Sequence, residues 1–298
     1  MTERPDRGAS RPDGGASGPD RGASRPDGGA SGPGTAAGAL VVPPSVPRRV
    51  RVEHVMGTAV SLDLRDERVS EAALDAVFEF LRDVEQRFSP YRADSEVGRL
   101  IAGELAEDEA SDDLRLVLGL AEDLRRTTGG YFDIRRHRPD GRPDPTGLVK
   151  GWAVETAAWR LEDAGATRFA LNAGGDVVAR GEPEPGRPWR VGIRHPDHVD
   201  AVVAIVGLRA GAMATSGAYE RGQHITDPHT GRPPEGIVSI SVVGPSLTWA
   251  DAYATAAFAM GPAGIAWVAE HPGYGAYGVT TDRRAAWTPL LDDLLVRD

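Results

Sequence analysis

Asp251 and Thr255 are the two residues whose types and spacing most directly suggest chemistry. They lie in an Ala-rich stretch that begins with Ser246 or Thr248 as a helix cap and ends at Gly261, which predicts a helix. Side chains four residues apart lie one above the other on a helix, and carboxylate and hydroxyl oxygens are ligands that Mg²⁺ prefers. Because a helix start also attracts phosphate, the pattern suggests a metal ion held against a phosphorylated ligand. The alternative is a surface pair with no such role.

Two glycine-containing loops carry charged residues suited to an anionic ligand. In Asp144-Pro-Thr-Gly-Leu-Val-Lys-Gly151, glycine lets the backbone approach a ligand and Lys150 offers a point charge for phosphate. The order of a Walker loop is absent, and a turn with a solvated lysine is the alternative. In Asn172-Ala-Gly-Gly-Asp176, the glycines predict a tight turn or a ligand against the backbone. The alternative is a turn in which Asp176 bonds its own backbone.

Further polar loops contain histidine, serine, methionine and tyrosine. In His224-Ile-Thr-Asp-Pro-His-Thr-Gly231, a histidine could act as a base near neutral pH. A paired-histidine metal site is disfavoured, because a proline-containing loop does not fix the spacing of helical ligands. No Gly-x-Ser-x-Gly elbow surrounds Ser216. Met56 and Tyr91 lie at predicted strand ends, where they could stack on a flat ring or belong to the core.

The elements that would position these residues follow from the apolar pattern. Helices are predicted at 70–88, 96–101, 111–128, in the stretch between 146 and 165, at 246–261 and at 263–270. Strands are predicted on either side of a break at 56–58 and at 169–172, 176–180, 189–194, 202–208, 212–216, 237–243, 274–281 and 284–287. Short turns join several strands, which predicts an α+β fold with a largely antiparallel sheet and helices packed against it. A Rossmann fold is disfavoured, because the predicted elements show no βαβαβ alternation with a Gly-x-Gly-x-x-Gly motif.

Composition narrows the classes of protein. The chain has 298 residues and 34 Lys and Arg against 44 Asp and Glu, a net charge of −10, which argues against binding to nucleic acid or to an anionic membrane. Cysteine is absent, which excludes disulfides, thiolate nucleophiles and iron–sulfur clusters. No apolar run has the length of a signal peptide or membrane span. A cytoplasmic protein without membrane insertion is therefore expected.

The N-terminal region differs from the remainder of the chain. Residues 4–34 repeat a seven-residue unit rich in Pro, Gly, Asp and Arg without large apolar residues, so they cannot bury enough surface to offset the entropy of ordering. A proline-rich piece follows at 42–47. These features predict a disordered tail and linker over residues 1–48 and one folded domain over 49–298.

Taken together and in this order, the segments resemble the FAD:protein FMN transferase family, the ApbE-like flavin transferases. The resemblance covers about residues 49–290. The motifs that carry it are Met56-Gly-Thr58, Phe88-Ser-Pro-Tyr-Arg-Ala-Asp-Ser-Glu96, Thr128-Gly-Gly-Tyr-Phe-Asp133, Lys150-Gly-Trp-Ala-Val-Glu155, Asn172-Ala-Gly-Gly-Asp176, Thr215-Ser-Gly217, His224-Ile-Thr-Asp-Pro-His-Thr-Gly231 and Asp251 with Thr255.

The resemblance implies a T-fold-like α+β architecture and a function. The family uses Mg²⁺ to transfer the FMN half of FAD onto a Thr or Ser hydroxyl of an acceptor flavoprotein with an FMN-binding domain, and it releases AMP. The site residues implied for this chain are Met56 and Tyr91 at the flavin; Tyr131, Phe132, Asp133, Asp144, Lys150 and Ile225 at the nucleotide; Asp251, Thr255 and the Gly147 carbonyl at the metal; and His224 as the base. Lys150 would also neutralise charge on the reacting phosphate.

Two alternatives remain open at this point: an FAD pyrophosphatase that gives FMN and AMP, and an FAD-binding module without catalysis. The chain also departs from the family pattern. Residues 135–142 form a short basic loop where relatives usually have a longer segment with a Trp-Gly-Phe-type piece, which implies a differently built adenine side. Many relatives are exported, whereas no export signal is visible here.

Overall fold

The computed structural model describes residues 47–136, 140–198, 200–217 and 225–297. The predicted tail and the candidate base His224 lie outside the described residues. The described strands are β1 Arg49–Val55, β2 Thr58–Leu64, β3 Phe169–Ala173, β4 Asp176–Arg180, β5 Trp189–Arg194, β6 Val202–Leu208, β7 Ala210–Gly217, β8 Ile237–Gly244, β9 Gly275–Thr280 and β10 Ala285–Trp287. These bounds confirm every predicted strand.

The main sheet has eight strands in the order β1-β2-β3-β4-β7-β8-β9-β10, and every neighbouring pair is antiparallel. Strands β5 and β6 form a separate antiparallel pair inserted between β4 and β7 along the chain. Short turns join β1 to β2, β3 to β4 and β9 to β10, as antiparallel pairing allows. The predicted antiparallel α+β fold is confirmed.

Four of the six described helices begin directly after a serine that caps them. They are α1 Glu71–Phe88, α2 Glu96–Ala102, α3 Asp112–Thr127, α4 Thr146–Asp163, α5 Leu247–Ala259 and α6 Ala263–Val268. Ser70, Ser95, Ser111 and Ser246 accept hydrogen bonds from the backbone N–H groups of the first turns that follow them, the bonding that favours Ser at this position. Of the two caps considered for α5, Ser246 is therefore the one used.

The sheet separates two apolar layers because its strands alternate side chains between two faces. Val178 of β4 and Ala212 and Ala214 of β7 lie in the large core shared with the helices. Ala179 and Met213, each one residue away, lie in a smaller core under the β5–β6 pair. Asp176 and Ser216 have the parity of the helix-facing set, so both belong to the side of the sheet that carries α4 and α5.

Among the residues that the structure describes, no helix is long and apolar enough to cross a membrane.

Candidate active site

A cleft of about 730 Å³ opens where the turns β1–β2 and β3–β4 and the end of β7 meet the first turns of α4 and the middle of α5. All the predicted site residues that the structure describes line it: Met56, Tyr91, Tyr131, Phe132, Asp133, Asp144, Gly147, Lys150, Ile225, Asp251 and Thr255. The structure thus brings together residues that are up to two hundred positions apart in the sequence. His224 is the predicted site residue that lies outside the described ranges.

The charged centre of the cleft comprises Lys150 and Asp251, which line it, and the buried Asp176, which contacts Lys150. The Lys150 ammonium donates to Asp176 Oδ2 and lies 3.8 Å from Asp251 Oδ2. Asp251 is only 5% exposed and Asp176 only 1% exposed. The alternative of a surface pair is therefore wrong for Asp251, and Lys150 is not a freely solvated lysine. A buried carboxylate remains charged only when cations or hydrogen-bond donors surround it.

Hydroxyl groups lie beside this charged centre. The Thr255 Oγ1 atom is 3.3 Å from Ser216 Oγ, and the Thr215 hydroxyl is 2.8 Å from that of Ser241. Thr215 and Ser216 both line the cleft. The Arg194 side chain, at the end of β5, also lines it and adds a positive charge that the sequence reasoning did not single out. The sequence gives little indication of a role for Arg194, because arginine is common at strand ends on protein surfaces.

Glu155 fixes the helix that carries Asp251 and Thr255. This carboxylate on α4 is 3% exposed and accepts hydrogen bonds from Leu247 N and Thr248 N, both at 3.1 Å, from Ser246 Oγ at 2.8 Å and from the Thr248 hydroxyl. The expectation that the start of α5 binds a phosphate is therefore wrong, since the chain's own carboxylate occupies the N–H groups there. A lone Glu among apolar helix residues was the sequence signal for such a partner.

Close packing of α4 against α5 sets the position of Asp251. A Cβ atom added at Gly151 would lie 3.0 Å from Asp251 Cβ, 3.1 Å from its Oδ2 and 3.2 Å from the Leu247 carbonyl oxygen. Only a residue without a side chain leaves the Asp251 carboxylate this space. Gly151 therefore belongs to the site because it has no side chain, which leaves room for the Asp251 carboxylate. It directly follows Lys150 in the sequence.

Tyr91 lies in the loop between α1 and α2 and not, as predicted, at the end of a strand. Ser95 fixes this loop. The Ser95 hydroxyl donates to the carbonyl oxygens of Ser89 at 2.6 Å and Arg92 at 3.0 Å, and it accepts from Gly98 N at 2.8 Å. Tyr91 itself is 95% exposed, so the alternative that it belongs to the core is wrong. Its ring remains available to stack on a planar ligand in the cleft.

Two loops that contact each other contribute Tyr131 and Ile225 to the lining of the cleft. The Tyr131 and His229 rings meet edge to face at 4.5 Å, and the Arg136 guanidinium donates to the Pro228 carbonyl. The Asp227 carboxylate accepts from His229 N at 2.8 Å and from the Thr230 hydroxyl at 2.9 Å. Although burial opposes ionisation, these bonds lower the pKa of Asp227. The charged Asp227 thus holds the loop that follows Ile225.

Asp133 and Asp144 lie where the basic loop joins this wall. The Asp144 carboxylate accepts from Thr146 N at 3.2 Å and from the Thr146 hydroxyl at 2.7 Å, at the start of α4. Asp133 accepts from Arg135 N at 2.9 Å, and Asp144 N donates to the Ile134 carbonyl at 2.8 Å. Phe132 and Ile225 are mostly buried, 4% and 8% exposed, so they offer a ligand an apolar edge. In the described part of the chain, no three His, Asp or Glu side chains are arranged to hold a metal ion.

Known proteins are similar to this chain in sequence and in fold. The model of the ApbE family matches residues 56–139 and 134–277. The FAD:protein FMN transferase of Escherichia coli K12 is 33% identical over 159 residues, which are 50% of this chain and 45% of that protein. The protein of the same name from Haemophilus influenzae is 26% identical over 272 residues, 69% of this chain and 79% of that one.

The fold agrees as well. The solved structure of the flavin transferase ApbE from Vibrio cholerae superimposes with a TM-score of 0.73 at 22% identity, and the match covers 84% of this chain and 99% of that one. The alignment with the Escherichia coli protein spans less than half of that protein's length. Since the family match spans most of the described domain, from the β1–β2 turn to β9, the chain belongs to the ApbE family.

Proposed function

We propose that this protein transfers the FMN half of FAD onto a Thr or Ser hydroxyl of an acceptor flavoprotein and releases AMP. The observation that supports this most is the convergence of Lys150, Asp251 and Thr255 in one cleft with Met56, Tyr91 and Tyr131 on its walls. The first group suits a pyrophosphate and a divalent cation, and the second suits flat rings. The names of the relatives support the same activity.

The residues at the centre fit a magnesium ion by the chemistry of their donors. The Asp251 carboxylate, the Thr255 hydroxyl and the Gly147 carbonyl are hard oxygen ligands on the walls of one cleft, and Mg²⁺ commonly takes one or two carboxylates together with phosphate oxygens. When bound, the ion would neutralise charge that develops on the pyrophosphate as its bridging bond breaks. Lys150 would bind the same phosphates directly and hold them in line for attack.

The reaction then balances as a phosphoryl transfer. The acceptor hydroxyl oxygen attacks the phosphorus of the FMN half and loses its proton to His224, while the bond from that phosphorus to the bridging oxygen breaks. AMP leaves with the bridging oxygen, and the acceptor keeps FMN through a phosphoester bond. Met56 and Tyr91 hold the flavin, and Tyr131, Phe132, Asp133, Asp144 and Ile225 hold the nucleotide. Residues 49–298 form the catalytic domain, and the preceding tail takes no part.

The His224→Ala variant tests the base. The rate of transfer should fall by about 10²–10⁴, the contribution typical of a positioned base, while the Kd for FAD changes by less than a factor of about three. Single-turnover rates and equilibrium FAD titrations measure the two quantities separately. An unchanged transfer rate would remove His224 from this role.

The Gly151→Ala variant tests how tightly Asp251 is held. The new Cβ would crowd the carboxylate at 3.1 Å, so Asp251 must shift and the half-saturating Mg²⁺ concentration should rise about tenfold, as for other changes that reorient a ligand. The matched control is Gly119→Ala on α3, where nothing lies within 4 Å of the added Cβ. The control should stabilise the protein by about 0.5–1 kcal/mol without changing the Mg²⁺ requirement. Equal Mg²⁺ requirements in both variants would contradict the packing argument.

The Met56→Asn variant separates stability from binding. Pairing of Val55 with Thr58 leaves a two-residue turn in which Met56 has φ 55° and Gly57 has φ 71°, the backbone of a type I′ hairpin turn that favours Asn-Gly. The free energy of unfolding of the variant should rise by about 1 kcal/mol. This is the lower end of the cost of holding a non-glycine residue in the left-handed conformation. Its FAD affinity should fall about tenfold for loss of the apolar contact.

Calorimetric unfolding and FAD titration measure both effects of the Met56 change. The control Met56→Leu keeps an apolar side chain in the same turn, so it should stay close to the parent in stability and in affinity. A destabilised Met56→Asn variant would show that the turn is not strained by methionine. An unaltered FAD affinity would remove Met56 from the flavin site.

The proposed function is tested by incubating the protein with FAD and Mg²⁺, with and without an FMN-binding-domain protein from the same genome. Acceptor-dependent AMP release supports transfer. Rapid AMP and FMN release without an acceptor would instead identify an FAD pyrophosphatase. FAD binding without AMP or modified acceptor would identify a binding module.

A further inference from the structure

We propose that Asp176 is a positioning residue that keeps Lys150 from a direct hydrogen bond with Asp251, the carboxylate proposed to bind a divalent cation. The inference rests on the proposed function of this cleft. It assigns a role to the one buried carboxylate at its centre that the mechanism above does not use.

The geometry around Lys150 favours Asp176 over Asp251. The ammonium is in direct hydrogen-bond contact with Asp176 Oδ2 but 3.8 Å from Asp251 Oδ2, a separation too long for a hydrogen bond. The other oxygen of Asp176 accepts from Thr215 N at 3.2 Å. Asp176 therefore uses one oxygen to join β7 and the other to fix Lys150. Both side-chain oxygens of Asp176 thus contact residues distant in the sequence, whereas the alternative was a hydrogen bond to the backbone of its own turn.

The β3–β4 turn makes Asp176 a rigid support. Gly174 and Gly175 both have positive φ, 61° and 101°, and Asp176 is the first residue of β4 directly after them. The Asn172 side chain accepts from Gly175 N at 2.9 Å, and Gly174 N donates to the Ala59 carbonyl at 3.2 Å. With its side chain 2% exposed, the Asp176 carboxylate has no room to follow Lys150 elsewhere.

The charges explain why such a support is useful. Two carboxylates flank one ammonium, and Lys150 could instead donate a hydrogen bond to Asp251 after a movement of about 1 Å, since 3.8 Å exceeds a normal charge-assisted bond by that amount. Such a pair would oppose cation binding at Asp251, because the ammonium and the cation repel each other. It would also draw Lys150 from the phosphates. Asp176 prevents both.

The test uses Asp176→Asn in the full chain. The amide oxygen can still accept from Thr215 N, so the fold is retained, but an NH₂ group now faces the Lys150 ammonium. Lys150 should move to Asp251, and the half-saturating Mg²⁺ concentration should rise about tenfold, as for loss of a residue that orients a metal ligand. The value of kcat should fall by a factor of about 10–100. The KM for FAD should change by less than about threefold, since a positioning effect acts mainly on the transition state.

A second readout does not need turnover. The rise in Tm on adding Mg²⁺ without FAD reports cation binding by linkage, and it should shrink in Asp176→Asn. This measurement remains valid if the protein releases no AMP from FAD, so a failure of the proposed function is distinguishable from a failure of this inference.

Two further variants exclude a merely structural effect. Ser241→Ala removes the hydroxyl bond to Thr215 on the same part of the sheet, and it should lower Tm without altering the Mg²⁺ dependence. In a Lys150→Gln background, adding Asp176→Asn should not change the Mg²⁺-induced rise in Tm further, because the effect acts through Lys150. An unchanged Mg²⁺ dependence in Asp176→Asn, or an equal effect with and without Lys150, would overturn the inference.

Discussion

Replacing Asp251 with Ala is expected to abolish Mg²⁺-dependent cleavage of FAD, a loss of at least about 10³-fold in kcat. Asp251 is the carboxylate of the proposed cation set, and it is buried beside Gly151 and Lys150. The fold should survive, because Lys150 keeps its contact with Asp176 and no buried cation is left alone. Steady-state AMP release across a range of Mg²⁺ concentrations measures the effect.

The control is a carboxylate outside the cleft. Glu162→Gln on α4 removes a partly exposed carboxylate that pairs with Arg180 at 2.7 Å, and AMP release should stay within about twofold of the parent because exposed ion pairs contribute little. Full activity in Asp251→Ala would contradict the assignment of the cation site. The isosteric Asp251→Asn variant should retain the fold and also lose most of the activity.

Glu155→Ala is expected to produce the largest loss of stability, about 3–5 kcal/mol. The variant leaves Leu247 N, Thr248 N and two hydroxyl groups at the start of α5 without their acceptor in a buried site. For a domain of this size the loss corresponds to a fall in Tm of roughly 10 °C. Calorimetry on the variant measures it directly.

Activity provides a second readout for Glu155. Because α5 carries both Asp251 and Thr255, disorder at its first turn should raise the Mg²⁺ requirement even well below Tm. Glu162→Gln serves as the control on the same helix and should cost less than about 1 kcal/mol. If Glu155→Ala unfolded at the parent temperature, the carboxylate would not be the anchor of α5.

Local sequence signals were sufficient to predict where the helices and strands begin and end. Ser70, Ser95 and Ser111 each precede a helix that the apolar pattern bounds to within two residues, because capping and periodicity act over a few positions. The break at Met56 and Gly57 correctly separated two strands, since the pair forms their turn.

Those local signals could not predict which side chains contact each other within the site. Glu155 meets Leu247 across 92 residues, and Lys150 meets Asp176 across 26. Such contacts depend on how the helices pack on the sheet, which no local pattern encodes. The resemblance to the family grouped the residues of the cleft but assigned no partner to Glu155 or Asp176. The prediction of a phosphate at the start of α5 was wrong because the carboxylate that occupies its N–H groups, Glu155, lies on another helix.

The most direct test of the central claim is mass spectrometry of an FMN-binding-domain acceptor after incubation with the protein, FAD and Mg²⁺. Transfer predicts that the acceptor gains the mass of one covalently bound FMN on a Thr or Ser, with one AMP released per modified acceptor. An unmodified acceptor, with or without free FMN and AMP in solution, would contradict it.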